Sequence, residues 1–325
     1  MKLLVTFLLF LTLATSHAQT QQNYEQAYLQ LQQMLEGKRP LSIQKAIFAV
    51  ENAWHGNTLS YLEFDKDVEK AADACQQMIM KKGLGSYKTA GNWAIFMYMT
   101  QEVPENNGQK CTYNFEDFLG RTDYANTFVT RAAQSKKGNC LSLPLLYKCI
   151  ADKIGAEAKL TLGPYHTWIR HINEEGGWTN VELTSGQLPS DGLMMTELGI
   201  TMQAVKSGAY FKPLSDRETV AFLLTQLSNA YENSFNKLDD FTDKCAELSL
   251  KYYPSNPHAY MIKLNHMAKL GIRLQKEGKT ETALFKENHK AYLLYAQKLS
   301  NLGISGDFQD KAYNEWIKSM QDRKE

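Results

Sequence analysis

The sequence predicts an α+β protein in which one helix packs on a small antiparallel sheet, with further helices before and after that unit. Three observations carry this. Residues 141–154 place apolar side chains at 143, 146, 147, 150 and 154 and stop at Gly155, which is helical spacing with a helical terminator. Three short stretches follow, 158–162, 166–172 and 178–183, separated by Gly163-Pro164 and by a turn-rich segment, 173–177. Before and after this block the apolar positions recur at helical spacing.

The chain opens with Met1-Lys2, an apolar run from Leu3 to Ala14, and Thr15-Ser16-His17-Ala18. That is the pattern of a secretory signal peptide, 1–18, cut after Ala18. The run is short for a membrane span. No cysteine follows it, so a lipid anchor is not indicated. No later stretch reaches the roughly 18 apolar residues of a spanning helix. A secreted or periplasmic protein with no membrane span is expected.

Lys and Arg number 36 against 35 acidic residues. Such a balance supplies no basic face for nucleic acid and no polybasic segment for anionic lipid, so neither partner is expected. The cysteines are 75, 111, 140, 149 and 245, an odd set, which leaves at least one thiol unpaired within the chain. None has CxxC or Cys/His metal spacing, and no acidic loop has calcium-site spacing. Neither a metal nor a cofactor is expected. A disulfide among 75, 111, 149 and 245 stays open.

Residues 19–85 read as an N-terminal helical segment. Its helices are expected over 23–36, over 42–54, and from a cap at Asp65 through Met80, with Gly83 and Gly85 as the stop. Within 86–215, residues 93–99 form a buried apolar run best read as helix. Residues 101–112 read as a surface loop, and 124–133 as a helix leading to Gly138. Region 216–325 reads as all helical, entered by the capping box Ser215-Asp216-Arg217-Glu218. Its later helices are expected at 238–253, 258–276, 280–301 and 308–321. Cys245-Ala246, Pro254 and then Ala259-Tyr260 resemble the back half of a tetratricopeptide repeat.

The chemistry concentrates around Cys140. Pro144 is tolerated only in a first turn, so the helix starts at or next to that cysteine. A helix start offers unpaired N–H groups and the positive end of the dipole, which favour a thiolate and can hold an oxyanion. Asn139 and Gln134 are candidate side-chain donors. His166 opens the second strand as candidate base. His171, an odd number of residues on, must point to the other face. Glu182 and Asn180, two residues apart on the same face of the next strand, are each positioned to hold the imidazole in one tautomer. Cys149, further along the helix, reads as an ordinary buried thiol.

Taken together, Gly138-Asn139-Cys140, His166-Thr167-Trp168 and Trp178-Thr179-Asn180-Val181-Glu182-Leu183-Thr184 resemble the core of the transglutaminase-like cysteine-enzyme superfamily. Leu141 to Tyr147 is similar to bacterial members that carry tetratricopeptide repeats behind the core. The resemblance implies a papain-like triad. Cys140 would be the nucleophile, His166 the base and acid, and Glu182 the residue at the usual aspartate position, with Trp168 in support. Leu141 stands where protein-crosslinking members carry an aromatic, which argues against a calcium-dependent crosslinker.

The function expected from this reading is a secreted thiol hydrolase acting on peptide or isopeptide amides. Its C-terminal helices would orient a protein or peptide partner. The alternative is a catalytically inactive member of the same fold that binds protein or peptide through those helices.

Overall fold

The computed structural model describes residues 21–304. The signal peptide expected at 1–18 and the helix expected at 308–321 lie outside these residues. The fold is mixed α+β and predominantly helical.

Residues 21–35 are helical (α1), and α2 (Ile43–Trp54) follows with Ser42 as its cap. The third helix, α3 (Tyr61–Lys82), starts earlier than expected. Ser60 caps it, so Asp65 is not the cap but an interior residue, paired with Lys153 at 2.8 Å. The apolar run became α4 (Ala90–Thr100), with Ala94, Ile95, Tyr98 and Met99 buried and Trp93, Phe96 and Met97 partly exposed.

The loop expected at 101–112 contains a short 3-10 turn, Pro104–Asn106, and runs into β1 (Thr112–Tyr113). This strand pairs in parallel with β2 (Lys137–Gly138). Two paired residues leave no alternation to read, so sequence patterning gave no sign of them. The helix expected at 124–133 is two pieces: a 3-10 turn at Tyr124–Thr127 and α5 (Val129–Ser135). Phe128 breaks them apart in extended conformation, and the Glu51 carboxylate from α2 accepts from Val129 N at 2.7 Å and Thr130 N at 2.9 Å. A tertiary cap therefore sets this boundary.

α6 (Ser142–Ile154) ends at Gly155, whose φ of 71° is the left-handed turn that a glycine takes most easily. The sheet is β3 (Lys159–Gly163), β4 (His166–Ile172) and β5 (Trp178–Val181), antiparallel in that order. β5 stops at Val181, two residues short of expectation, and Glu182 continues only as an isolated bridge to Gln187. Two short helices, α7 (Asp191–Glu197) and α8 (Met202–Ser207), then cross near the sheet. Their connection brings Leu198 and Ile200 against Gly163, where a Cβ would meet Trp168 at 3.0 Å, Leu198 at 3.2 Å and Ile200 at 3.4 Å.

The remaining elements are α9 (Asp216–Phe235), α10 (Asp240–Tyr252), α11 (Pro257–Lys276) and α12 (Ala283–Asn301), each packed on the next. The expected capping box at Ser215 and Glu218 is formed. α9 also packs on α2, and Tyr24 of α1 meets Tyr231 edge to face at 5.4 Å. Past the end of α12 the chain returns to α8, where Thr201 Oγ1 donates to Gly303 O at 3.0 Å. One apolar core runs from Tyr24 to Tyr253, so residues of all three sequence regions contribute to it. All five cysteines are free thiols.

Candidate active site

The β1–β2 pairing delivers the chain to the start of α6. Asn114 N donates to Gly138 O at 2.7 Å, and a Cβ on Gly138 would lie 2.7 Å from Ser142 Oγ and 2.9 Å from Leu143 Cδ2. Only glycine fits there without displacement. Asn139 then closes the turn. Its Oδ1 accepts from Leu141 N at 3.0 Å and Ser142 N at 2.9 Å, while Ser142 Oγ accepts from Asn139 N. These bonds satisfy donors that the helix start leaves open.

Cys140 stands in this turn, directly before the regular helix, partly exposed. Its thiol donates to Tyr165 O at 3.7 Å. Its backbone N–H makes no hydrogen bond among the described residues. Asn139, a candidate oxyanion donor, spends its amide nitrogen on Phe118 O at 2.8 Å, so its part here is to hold the turn. Gln134, the other candidate, is exposed on α5, and no hydrogen bond joins it to Cys140 among the described residues.

His166 is the first residue of β4, opposite Gly163 across a turn in which Tyr165 takes φ 53°. Because Cys140 lies at the strand end, two consecutive residues on opposite faces both reach it. Thr167 Oγ1 donates to the Cys140 carbonyl, and the Cys140 sulfur is near enough to the imidazole of His166 to help raise its pKa. Nε2 of His166 is 2.5 Å from Oε2 of Glu182. That contact leaves Nδ1 as the ring nitrogen for the thiol. Glu182 is itself fixed, its Oε1 accepting from Thr184 N at 2.7 Å.

His166 and Glu182 are 2 % and 5 % exposed, so their electrostatics are those of a buried pair. Burial pushes the imidazole down, but the Glu182 charge and the hydrogen bonds to Cys140 and Glu182 outweigh it and raise His166 to about 10. Burial pushes the carboxyl of Glu182 up, and the charge and hydrogen bond of His166 more than reverse that, holding it below its ordinary value. The ionised form of the pair is favoured at neutral pH.

The side chain of Asn180 makes its hydrogen bonds elsewhere. Its Oδ1 accepts from Trp168 Nε1 at 3.0 Å, and its Nδ2 donates to Asp191 Oδ1 at 2.7 Å. Asp191 in turn accepts from Arg170 Nη2 at 3.0 and 2.9 Å. The buried indole of Trp168 lies parallel to the His166 ring with centroids 6.2 Å apart. Asn180 and Trp168 therefore support the site from one layer behind. Thr167, Tyr165, Arg170 and Asp191 were not singled out by sequence reasoning. Strand alternation gave the faces of Thr167 and Arg170 but not their partners, and Asp191 sits in no motif.

His171 is on the opposite face from His166, as parity requires, and lines a cavity with residues of α4. The arrangement around Cys140 unites a partly exposed sulfur, a neighbouring imidazolium that favours a thiolate, a carboxylate that holds the imidazolium, and a backbone N–H next to Sγ. That set suits nucleophilic attack on a carbonyl. No family model matches the chain, and no curated protein or solved structure matches it either.

Proposed function

We propose that this protein is an exported thiol hydrolase of transglutaminase-like type acting on peptide or isopeptide amides. The observation that carries the reading is one buried imidazole that lies 2.5 Å from the Glu182 carboxylate and that the neighbouring Cys140 sulfur helps keep protonated. The motifs containing Gly138, Cys140, His166, Trp168 and Glu182, and the export pattern at 1–18, support it.

In this mechanism the proton on His166 is the one given up by Cys140, so Sγ attacks the amide carbon as a thiolate beside an imidazolium held by Glu182. The Cys140 N–H donates to the developing oxyanion. His166 then gives the proton to the leaving amine, and a thioester remains. Water attacks the thioester with His166 again as base, releasing the acid and restoring the thiol. Glu182 keeps Nε2 occupied throughout and stabilises the imidazolium. Helices α9 to α12 would orient the protein or peptide that carries the bond.

The test is alkylation by iodoacetamide from pH 4 to 9, read at each cysteine by mass spectrometry, in the wild type, His166→Ala and Glu182→Ala. Burial pushes the thiols of Cys75, Cys111, Cys149 and Cys245 up, so these are internal controls that should stay slow. Cys140 alone should be alkylated quickly at neutral pH, and that reactivity should fall sharply without His166. A Cys140 that reacts no faster than the four buried thiols, or equally fast in all three proteins, overturns the triad. The alternative, an inactive fold that binds partners through its helical half, then replaces it.

A further inference from the structure

A cavity of about 350 Å³ opens between α4 and the far end of β4 from His166. Its apolar lining comes from Trp93 and Phe96 of α4 with Val181 and Leu188. Trp93 and Phe96 are three residues apart and so share a helix face. This explains why α4 is apolar nearly all round. Ala94, Ile95, Tyr98 and Met99 enter the core, while Trp93 and Phe96 line this hollow.

The charge in the lining is one-sided, beside the neutral Thr89, Asn92, Asn173 and Thr179. Glu174 and Glu175 stand at the mouth, and no lysine or arginine lines the cavity. Glu174 is anchored, its Oε1 accepting from Thr89 N and Thr89 Oγ1, each at 2.7 Å. Those bonds hold its carboxyl below its ordinary value, so it is charged at neutral pH. His171, buried at the strand, is pushed down by that burial and is neutral there. Lys88 lies near Glu174 but does not line the cavity.

We infer that this cavity binds a small molecule with an aromatic body and a positively charged amine. The volume falls in the range of small-molecule sites, which are mostly apolar with a few placed polar groups. An ammonium at the mouth meets two carboxylates, and indole and phenyl faces attract cations as well as apolar rings. An anion would meet the same carboxylates and be repelled. The site is separate from Cys140, since His166 and His171 lie toward opposite ends of β4 and on opposite faces.

The experiment is calorimetric titration of the whole protein with phenethylamine, cationic at neutral pH, and with phenylacetate, which carries the same ring on an anion. Phenethylamine should bind saturably at one site and phenylacetate should not. Leu188→Lys, at a side chain that is 55 % exposed, should weaken the amine roughly tenfold, as should Glu174→Gln combined with Glu175→Gln. Cys140→Ala should bind like the wild type, which separates this result from the fate of the triad. No saturable binding of the amine, equal binding of phenylacetate, or indifference to both sets of substitutions each overturns the inference.

Discussion

Nε2 of His166 and Oε2 of Glu182 lie 2.5 Å apart, with the histidine side chain fully shielded from solvent and the glutamate side chain nearly so. Each charge is tolerable in this environment only because of the other. Glu182→Gln keeps an acceptor at nearly the same place and removes the charge. The imidazole should then titrate well below its wild-type value, because burial still pushes it down while the opposing charge is gone. Alkylation of Cys140 near pH 6 should slow by at least roughly tenfold. Losing one partner of such a pair should cost about 3 kcal/mol in denaturant unfolding. An unshifted His166 ring proton in an NMR titration of Glu182→Gln would contradict this account of the pair.

The same pair fixes a pH window for stability. His166 is raised from 6.5 to about 10, so its contribution is complete below about 6.5 and is lost as pH rises toward about 10. Glu182 is lowered from 4.5, so its contribution is complete above that value and is lost as pH falls below it. The Tm difference between wild type and a His166→Ala/Glu182→Ala double variant should therefore be greatest between about 4.5 and 6.5. It should shrink toward both acid and alkali. A difference that stays constant across the range would mean that the two groups are not ionised together in the fold.

The turn before α6 depends on two residues for different reasons. Gly138→Ala pushes a methyl to within 2.7 Å of Ser142 Oγ and 2.9 Å of Leu143 Cδ2, so about 1–3 kcal/mol of stability should be lost. Asn139→Ala removes the acceptor shared by Leu141 N and Ser142 N and should cost about 1–2 kcal/mol. Both should also slow alkylation of Cys140 relative to a distant variant of equal stability. Asn139→Asp keeps the acceptor and loses the donor to Phe118 O, so its effect should be intermediate. If Asn139→Asp were as damaging as Asn139→Ala, the Phe118 contact rather than the cap would carry the effect.

What could be read in advance follows from how local each signal is. Gly155 ending α6, Pro144 in its first turn, and the opposite parity of His166 and His171 are one-dimensional facts that survive folding unchanged. Cys140, His166 and Glu182 were legible because their spacing in sequence places them at one end of the helix and one end of the sheet. The tasks of their neighbours were not. Asn180 was read as a partner of His166, yet its carbonyl goes to Trp168 and its amide to Asp191, a residue of a short helix that no expectation included. Asn139 was read as an oxyanion donor, but Phe118 from a distant loop takes its amide. The start of α5 was misplaced because its cap, Glu51, lies in α2. Each of these three misses is a hydrogen bond between residues distant in sequence that overrode a local preference, whereas the start of α3 was missed for a local reason, its cap being Ser60.

Glu51 also makes a prediction of its own. It is buried, and burial raises its carboxyl to about 7 even though the N–H groups of Val129 and Thr130 and a side-chain hydrogen bond from Thr130 favour the ionised form. A carboxyl raised in the folded state carries no penalty below its ordinary value of 4.5, where folded and unfolded chains are both protonated. The penalty grows as pH rises and is complete above about 7. Glu51→Gln removes the titration while leaving a carbonyl oxygen for the start of α5. The Tm of the variant minus that of the wild type should therefore climb between pH 4.5 and 7 and level off above. Since α5 runs directly into β2 and Gly138, the alkylation rate of Cys140 should be followed over the same range. A Tm difference independent of pH would show that Glu51 titrates as an ordinary exposed acid and does not hold α5 as a buried one.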